Sequence, residues 1–154
     1  MSILRLDHTV VVVEDLEDAV AFFTALGMVV EGSGELDGEW IDKVNGLDGV
    51  RVSIVLLRTP DGNGRLELTR FHSPDLVQQA PWPQPPNALG LRSVMFEVES
   101  LDESLDIASR HGAELMGEVA QYLDQYRLCY LRGPGGAIVA LAEDLRKKAD
   151  SLQD

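Results

Sequence analysis

The stretch LDHTVVVVEDLEDAVAFFTALG, residues 6–27, returns without a gap 85 residues later as LRSVMFEVESLDESLDIASRHG, residues 91–112. Both copies open on an apolar run suited to a buried strand, pass into residues spaced for a helix, and stop on a glycine. In the first copy Leu16, Ala19, Val20, Phe22, Phe23 and Leu26 form a wide apolar stripe, with Asp15 placed to cap and Gly27 to terminate. In the second, Leu101, Leu105, Ile107 and Ala108 take the inward positions before Gly112. Gly32 and Gly117 continue the match, and further on Leu66-Glu67-Leu68 lines up with Val139-Ala140-Leu141. The copies share a frame but not a chemistry. His8 falls opposite Ser93, and Glu67 opposite Ala140, so one copy holds an imidazole and a carboxylate where the other holds a hydroxyl and a methyl.

Working outward, residues 3–13 read as one buried strand, and Met28 to Glu31 as the start of another that gives way to a polar stretch, Gly32 to Gly38. A short helix is expected around Trp40 to Asn45, then strands over 51–58 and 65–71 joined by the turn Thr59-Pro60-Asp61-Gly62-Asn63-Gly64. Parity puts Glu67, Thr69 and Phe71 on one face of the later strand and Leu66 and Leu68 on the other, with His72 on the wrong side to join Glu67. Residues 73–89 hold five of the seven prolines and suit an extended linker. The second copy adds strands over 91–99, 113–119, 125–132 and 137–142, with Gly133-Pro134-Gly135-Gly136 as a turn and 144–152 as a surface helix or frayed tail. The expected fold is α+β: a βαβββ module over 1–72, the linker 73–89, a second module over 90–143 and a tail over 144–154. A module of about 60 residues buries little by itself, so two are expected to pack together or across a homodimer.

The chain has 154 residues, 45% hydrophobic and 25% charged, which suits a globular protein. A net charge of −13, from 26 acidic and 13 basic side chains, argues against nucleic acid and anionic membrane, since both require a cationic face. No apolar run is long enough for a membrane helix and no secretion signal precedes the first strand. The single Cys129 cannot form an internal disulfide, and a cytoplasmic location follows as the default.

The residues Leu6-Asp7-His8, Glu14-Asp15-Leu16, Phe22-Phe23 to Leu26-Gly27, Arg65-Leu66-Glu67-Leu68, Gly90-Leu91-Arg92-Ser93 and Arg132-Gly133-Pro134-Gly135-Gly136-Ala137 resemble the vicinal oxygen chelate superfamily, the group of glyoxalases, bleomycin-resistance proteins and ring-opening dioxygenases. The resemblance spans residues 3 to 143. It implies two curled half-barrel sheets, each lining a cleft, where a divalent metal holds two neighbouring substrate oxygens as a Lewis acid. It also implies four ligand positions: His8, Glu67, Ser93 and Ala140.

Of those four, only His8 and Glu67 suit a divalent ion such as Zn²⁺, Mn²⁺, Fe²⁺, Ni²⁺ or Co²⁺. Catalytic sites usually offer three protein ligands, so the resemblance implies a weakly held metal or one completed by water or substrate. Similar isomerases use a carboxylate on the last strand for proton transfer, which Ala140 cannot supply, and similar dioxygenases need a second His. Glu143 has the wrong parity to stand in. Without metal, His8 and Glu67 would line a polar pocket as a hydrogen-bonded pair, and Glu67 could act as a catalytic base. Trp40, Ser93, Met95, Tyr130 and Ala140 are the expected ligand-lining positions. Tyr122 and Tyr126 could close over a ligand. Two functions follow: an enzyme acting on a small oxygen-rich metabolite, or a metal-free protein that sequesters a small apolar or aromatic compound.

Overall fold

The two copies fold as two units, Met1–Gln78 and Gln79–Asp154, in a computed structural model that describes residues 2–147. In the first unit, β1 (Thr9–Val12), α1 (Leu16–Ala25), β2 (Val29–Asp37), α2 (Glu39–Asn45), β3 (Arg51–Arg58) and β4 (Arg65–Ser73) build a sheet of order β1-β4-β3-β2. The second unit has β5 (Ser93–Glu97), α3 (Leu101–Arg110), β6 (Glu114–Leu115), β7 (Ala120–Tyr122), β8 (Tyr126–Arg132) and β9 (Ile138–Asp144). Its order is β5-β9-β8-β6, with β7 also on β8. This is the α+β, two-module arrangement the repeat implies.

The first strand of each unit pairs in parallel with the last. Val10 stands opposite Glu67 in one unit and Met95 opposite Ala140 in the other. Residues matched by the repeat therefore occupy matched ladder positions. The spacing between matched residues falls from 85, as in Val10 and Met95, to 73, as in Glu67 and Ala140. Most of that difference is α2 and its flanks, because β7 reaches β8 through residues 123–125 alone.

Each helix covers one face of its sheet. Phe22 and Phe23 of α1, edge to face at 5.0 Å, are buried with Leu57, Leu66 and Leu68. Asp15 caps α1 by accepting from the Asp18 amide at 2.9 Å. The α3 side is sealed by a charge. Glu143, buried on β9, accepts from the Leu101 amide at 2.8 Å, so a carboxylate sits on the positive end of α3. Arg127 Nη1 stands 3.8 Å away, and Arg127 also forks onto Asp102. Glu143 is thus committed to the helix side of the sheet.

Several elements differ from the sequence reading. The first strand begins at Thr9, not at residue 3, and Ile3, Leu4 and Leu6 are 86%, 95% and 81% exposed. The reason lies in its partner: Thr9 already pairs with Leu66, near the start of β4, so earlier residues have nothing to pair with. The polar stretch Gly32 to Gly38 is strand as far as Asp37, because β3 supplies a ladder along it, broken only by a register shift between Val30 and Gly32. In the second unit the matching strand is cut in two around Gly117, leaving β6 and β7. The last strand runs on to Asp144, and the rest of the expected tail, residues 148–154, lies outside the described residues.

The proline-rich segment is not a free crossover. Arg132 Nη1 donates to Gln84 O and to Gly136 O, both at 2.9 Å. Gly136 has φ +69°, and a Cβ there would meet the Trp82 ring at 3.0 Å and Pro83 at 3.2 Å. Gly136→Ala should therefore destabilise the chain by about 1–2 kcal/mol in urea unfolding. Gly34→Ala, which meets nothing within 4 Å, is the control and should shift stability by less than about 0.5 kcal/mol.

Candidate functional site

On the face of the first sheet away from α1, β1 and β4 bring His8 and Glu67 together. His8 Nε2 lies 3.6 Å from Glu67 Oε2, with the side chains 34% and 21% exposed. That separation is too long for a hydrogen bond. Each partner is oriented by a neighbour. His8 Nδ1 bonds Asp7 Oδ2 at 2.8 Å, and Thr69 Oγ1 donates to Glu67 Oε1 at 3.0 Å. The hydrogen bond from His8, and then Arg5 at 2.5 Å, hold the Asp7 carboxyl below its ordinary range, so Asp7 accepts and the Nδ1 proton is fixed. The other ring nitrogen, Nε2, is then the one left facing the Glu67 carboxylate.

Two electron-rich atoms facing each other across such a gap suit a cation. Ligands on one tetrahedral zinc ion, at about 2.0–2.2 Å each, stand roughly 3.4 Å apart. Donor type, spacing and the Asp7–His8 support all fit a divalent transition metal. The number of donors does not: among the described residues no group of three or more His, Cys, Asp or Glu side chains is arranged around one point. Asp7 stands in the sequence motif beside His8, but no role at the site was assigned to it there. Its adjacency to His8 was the available signal.

Of the other expected positions, all but Trp40 belong to the second unit. Met95, Ala140 and Tyr130 form one row across β5, β9 and β8, with Ser93 one step along the same face. Ala140 is fully buried and Met95 and Tyr130 are exposed. Trp40 is exposed on α2 in the first unit. His72 is on the opposite face from Glu67, where Ser53 Oγ bonds both its Nε2 and Glu35 Oε1 at 2.6 Å. Cys129 is buried on β8, and burial pushes its thiol up, the setting of an inert cysteine.

Beside the Met95 row is a cavity of about 680 Å³ lined by Met95, Glu97, Tyr122, Tyr126, Leu128 and Ala142 among others. Glu97 shares the face of Ser93 and Met95, as parity in the sequence implies, and Leu128 follows by the same parity from Tyr130. The rim is held by two ion pairs, Lys147 on Glu97 and Arg146 on Asp144, and by a hydrogen bond that Arg146 donates to the Tyr126 hydroxyl. The Arg146 guanidinium also stacks 4.8 Å from the Tyr126 ring centre.

The family model described as Glyoxalase/Bleomycin resistance protein/Dioxygenase superfamily matches residues 5–141. The chain belongs to that superfamily. Among solved structures, a glyoxalase family protein from Bacillus cereus is 45% identical, with TM-score 0.88 over 94% of this chain and 97% of that one. Two others share the superfamily fold at lower identity. One is a glyoxalase family protein from Enterococcus faecalis, 19% identical, TM-score 0.62, covering 93% of this chain and 100% of that one. The other is the trypanothione-dependent glyoxalase I of Leishmania major, 18% identical, TM-score 0.63, covering 98% and 94%. No curated protein matches in sequence. Among the described residues no helix is long and apolar enough to cross a membrane.

The rim yields a pH prediction. The Arg146 hydrogen bond holds the Asp144 carboxyl at about 2, below its ordinary 3.8. A depressed folded-state value favours the folded chain above about pH 4, and that contribution is lost as pH falls toward 2. Asp144→Asn should flatten the acid limb of stability between those values, read as urea midpoints at pH 6, 4 and 3. An unchanged limb would contradict the assignment.

Proposed function

We propose that this superfamily member binds a small oxygen-rich metabolite at the His8–Glu67 face and holds it through a weakly bound divalent cation. The observation that carries the reading is the approach of His8 Nε2 to Glu67 Oε2 at 3.6 Å with the imidazole locked by Asp7. His8 and Glu67 would hold the ion, which when bound supplies Lewis acidity toward the substrate's oxygens. Asp7 keeps the imidazole in the ligating tautomer, and Thr69 holds one carboxylate oxygen so that the other stays aimed at His8. Along β1 and β4, Glu67 is the one carboxylate on this face, and is placed to take a proton from a bound substrate. Ala140 leaves the matching position of the second unit without an acid or base, which weighs against an isomerase that needs two.

A second reading, sequestration of an apolar or aromatic compound without turnover, draws on the cavity beside Met95, with its Leu128, Ala142 and two tyrosines. The two readings use different residues and separate cleanly. If the first holds, the chelator-treated chain takes up added Mn²⁺, Ni²⁺ or Zn²⁺. Asp7→Asn should weaken that uptake by about 10–100-fold, and Glu67→Gln should abolish it without lowering Tm. If the second holds, no ion is taken up, and Leu128→Trp abolishes binding of aromatic compounds by filling the cavity.

A further inference from the structure

Across β2, β3 and β4 the register sets Glu35, Ser53 and Arg70 in one row, on the face of the first sheet that carries α1. Between this row and the first turns of α1 lies a cavity of about 480 Å³. Its apolar lining is the half-buried Leu16 and Val20 of α1 and Val55 of β3; its charged lining includes Arg70 on β4 and Asp15 and Glu17 at the start of α1. We propose that this cavity binds a small amino acid with an apolar side chain, taking its carboxylate on Arg70 and its ammonium on Glu17 and Asp15. The cavity is lined by residues of the first unit alone, on the opposite face of the sheet from His8 and Glu67, and the proposal does not depend on a cation there.

The first support is an arginine left open. The chain has 26 acidic side chains for 13 basic ones, so a cation finds a partner easily. Yet among the described lysines and arginines only Arg51, Arg70 and Arg92 make no hydrogen bond, ion pair or ring contact. The carboxylate in Arg70's own row is already engaged: Ser53 Oγ donates to Glu35 Oε1 at 2.6 Å and stands 2.6 Å from His72 Nε2. Glu35 therefore leaves the guanidinium its five donors for a ligand. The second support is that the acids of the cavity are open as well. Asp15 spends only Oδ1, on the Asp18 amide, and Glu17 has no partner among the described residues. Both signs thus line one cavity without pairing. A simple anion would meet Asp15 and Glu17 there, and a simple cation would meet Arg70. A molecule that carries a carboxylate and an ammonium together satisfies all three. The third support is the apolar lining, which suits an aliphatic or thioether side chain, in a volume within the range of small-molecule sites.

The test uses the full ¹⁵N-labelled chain, titrated with L-leucine, L-valine and L-methionine while backbone amide shifts are followed. Two half-ligands run alongside: isoamylamine, which is leucine without its carboxylate, and isocaproate, which is leucine without its ammonium. The expected result is saturable shifts centred on residues 15–20, 53–55 and 70–72, with each half-ligand weaker than leucine by about 10-fold or more. Arg70→Gln should remove the gap between leucine and isoamylamine, and Glu17→Gln should narrow that between leucine and isocaproate. Arg92→Gln, which alters an open arginine of the second unit, should change nothing. Isocaproate binding as tightly as leucine would make this a plain anion site and overturn the proposal, as would isoamylamine doing so for a plain cation site. Shifts centred elsewhere, or none with any of the three amino acids up to about 10 mM, overturn it too. Arg70 and Glu17 are exposed, so neither substitution removes core packing.

Discussion

The parallel pairing of first strand with last is the constraint on which each unit depends. Parallel neighbours cannot be joined by a tight turn, so the chain must travel through a helix and two further strands before it returns. That route buries Phe22, Phe23 and Leu57 against Leu66 and Leu68 and fixes the register at Val10 opposite Glu67. Because side chains alternate, a slip of one residue would turn the Glu67 carboxylate into the packing under α1 and leave Leu66 or Leu68 in water. The core therefore sets where the polar pair stands. His8 lies just before β1 and two residues from Val10, on the same face, and meets Glu67 for no other reason.

The same frame, used twice, holds two different surfaces. In the first unit the ladder position opposite β1 carries a carboxylate, and the residues around it form a chain of polar contacts from Arg5 through Asp7 and His8 to Glu67. In the second unit the matching positions are Met95 and Ala140, and the neighbouring cavity is apolar with its charges confined to the rim. Duplication relaxes the demand on each copy: once one face carries the polar pair, the other is free to become a binding surface of a different character. The superfamily assignment fixes the frame and leaves these two faces to decide the chemistry.

Much of this was legible from residues. The helices could be read because Asp15 caps the first and Gly27 and Gly112 follow the two; the Ser100 cap of α3 came only with the structure. Alternation in residues 66–72 separated Glu67 from His72, and the ladders respect that parity. What escaped was set by partners and not by local pattern. Residues 3–8 are apolar enough for a strand, yet β4 begins too late to pair with them. The Gly32–Asp37 stretch is polar enough for a loop, yet β3 supplies it with a ladder. Around Gly117 the same strand parts, although the sequence there is the more apolar of the two. The pairing of His8 with Glu67 was implied by family resemblance. Its orientation by Asp7 and Thr69, and the cavity under Tyr122 and Tyr126, needed coordinates.

The central claim is that cation chemistry resides in the first unit alone. Paramagnetic line broadening tests it directly: backbone amide spectra of the ¹⁵N-labelled chain, recorded with substoichiometric Mn²⁺. The account predicts broadening centred on residues 7–10 and 66–68, and its loss in Glu67→Gln. Broadening centred on the second unit, or spread evenly over the acidic surface, would contradict it.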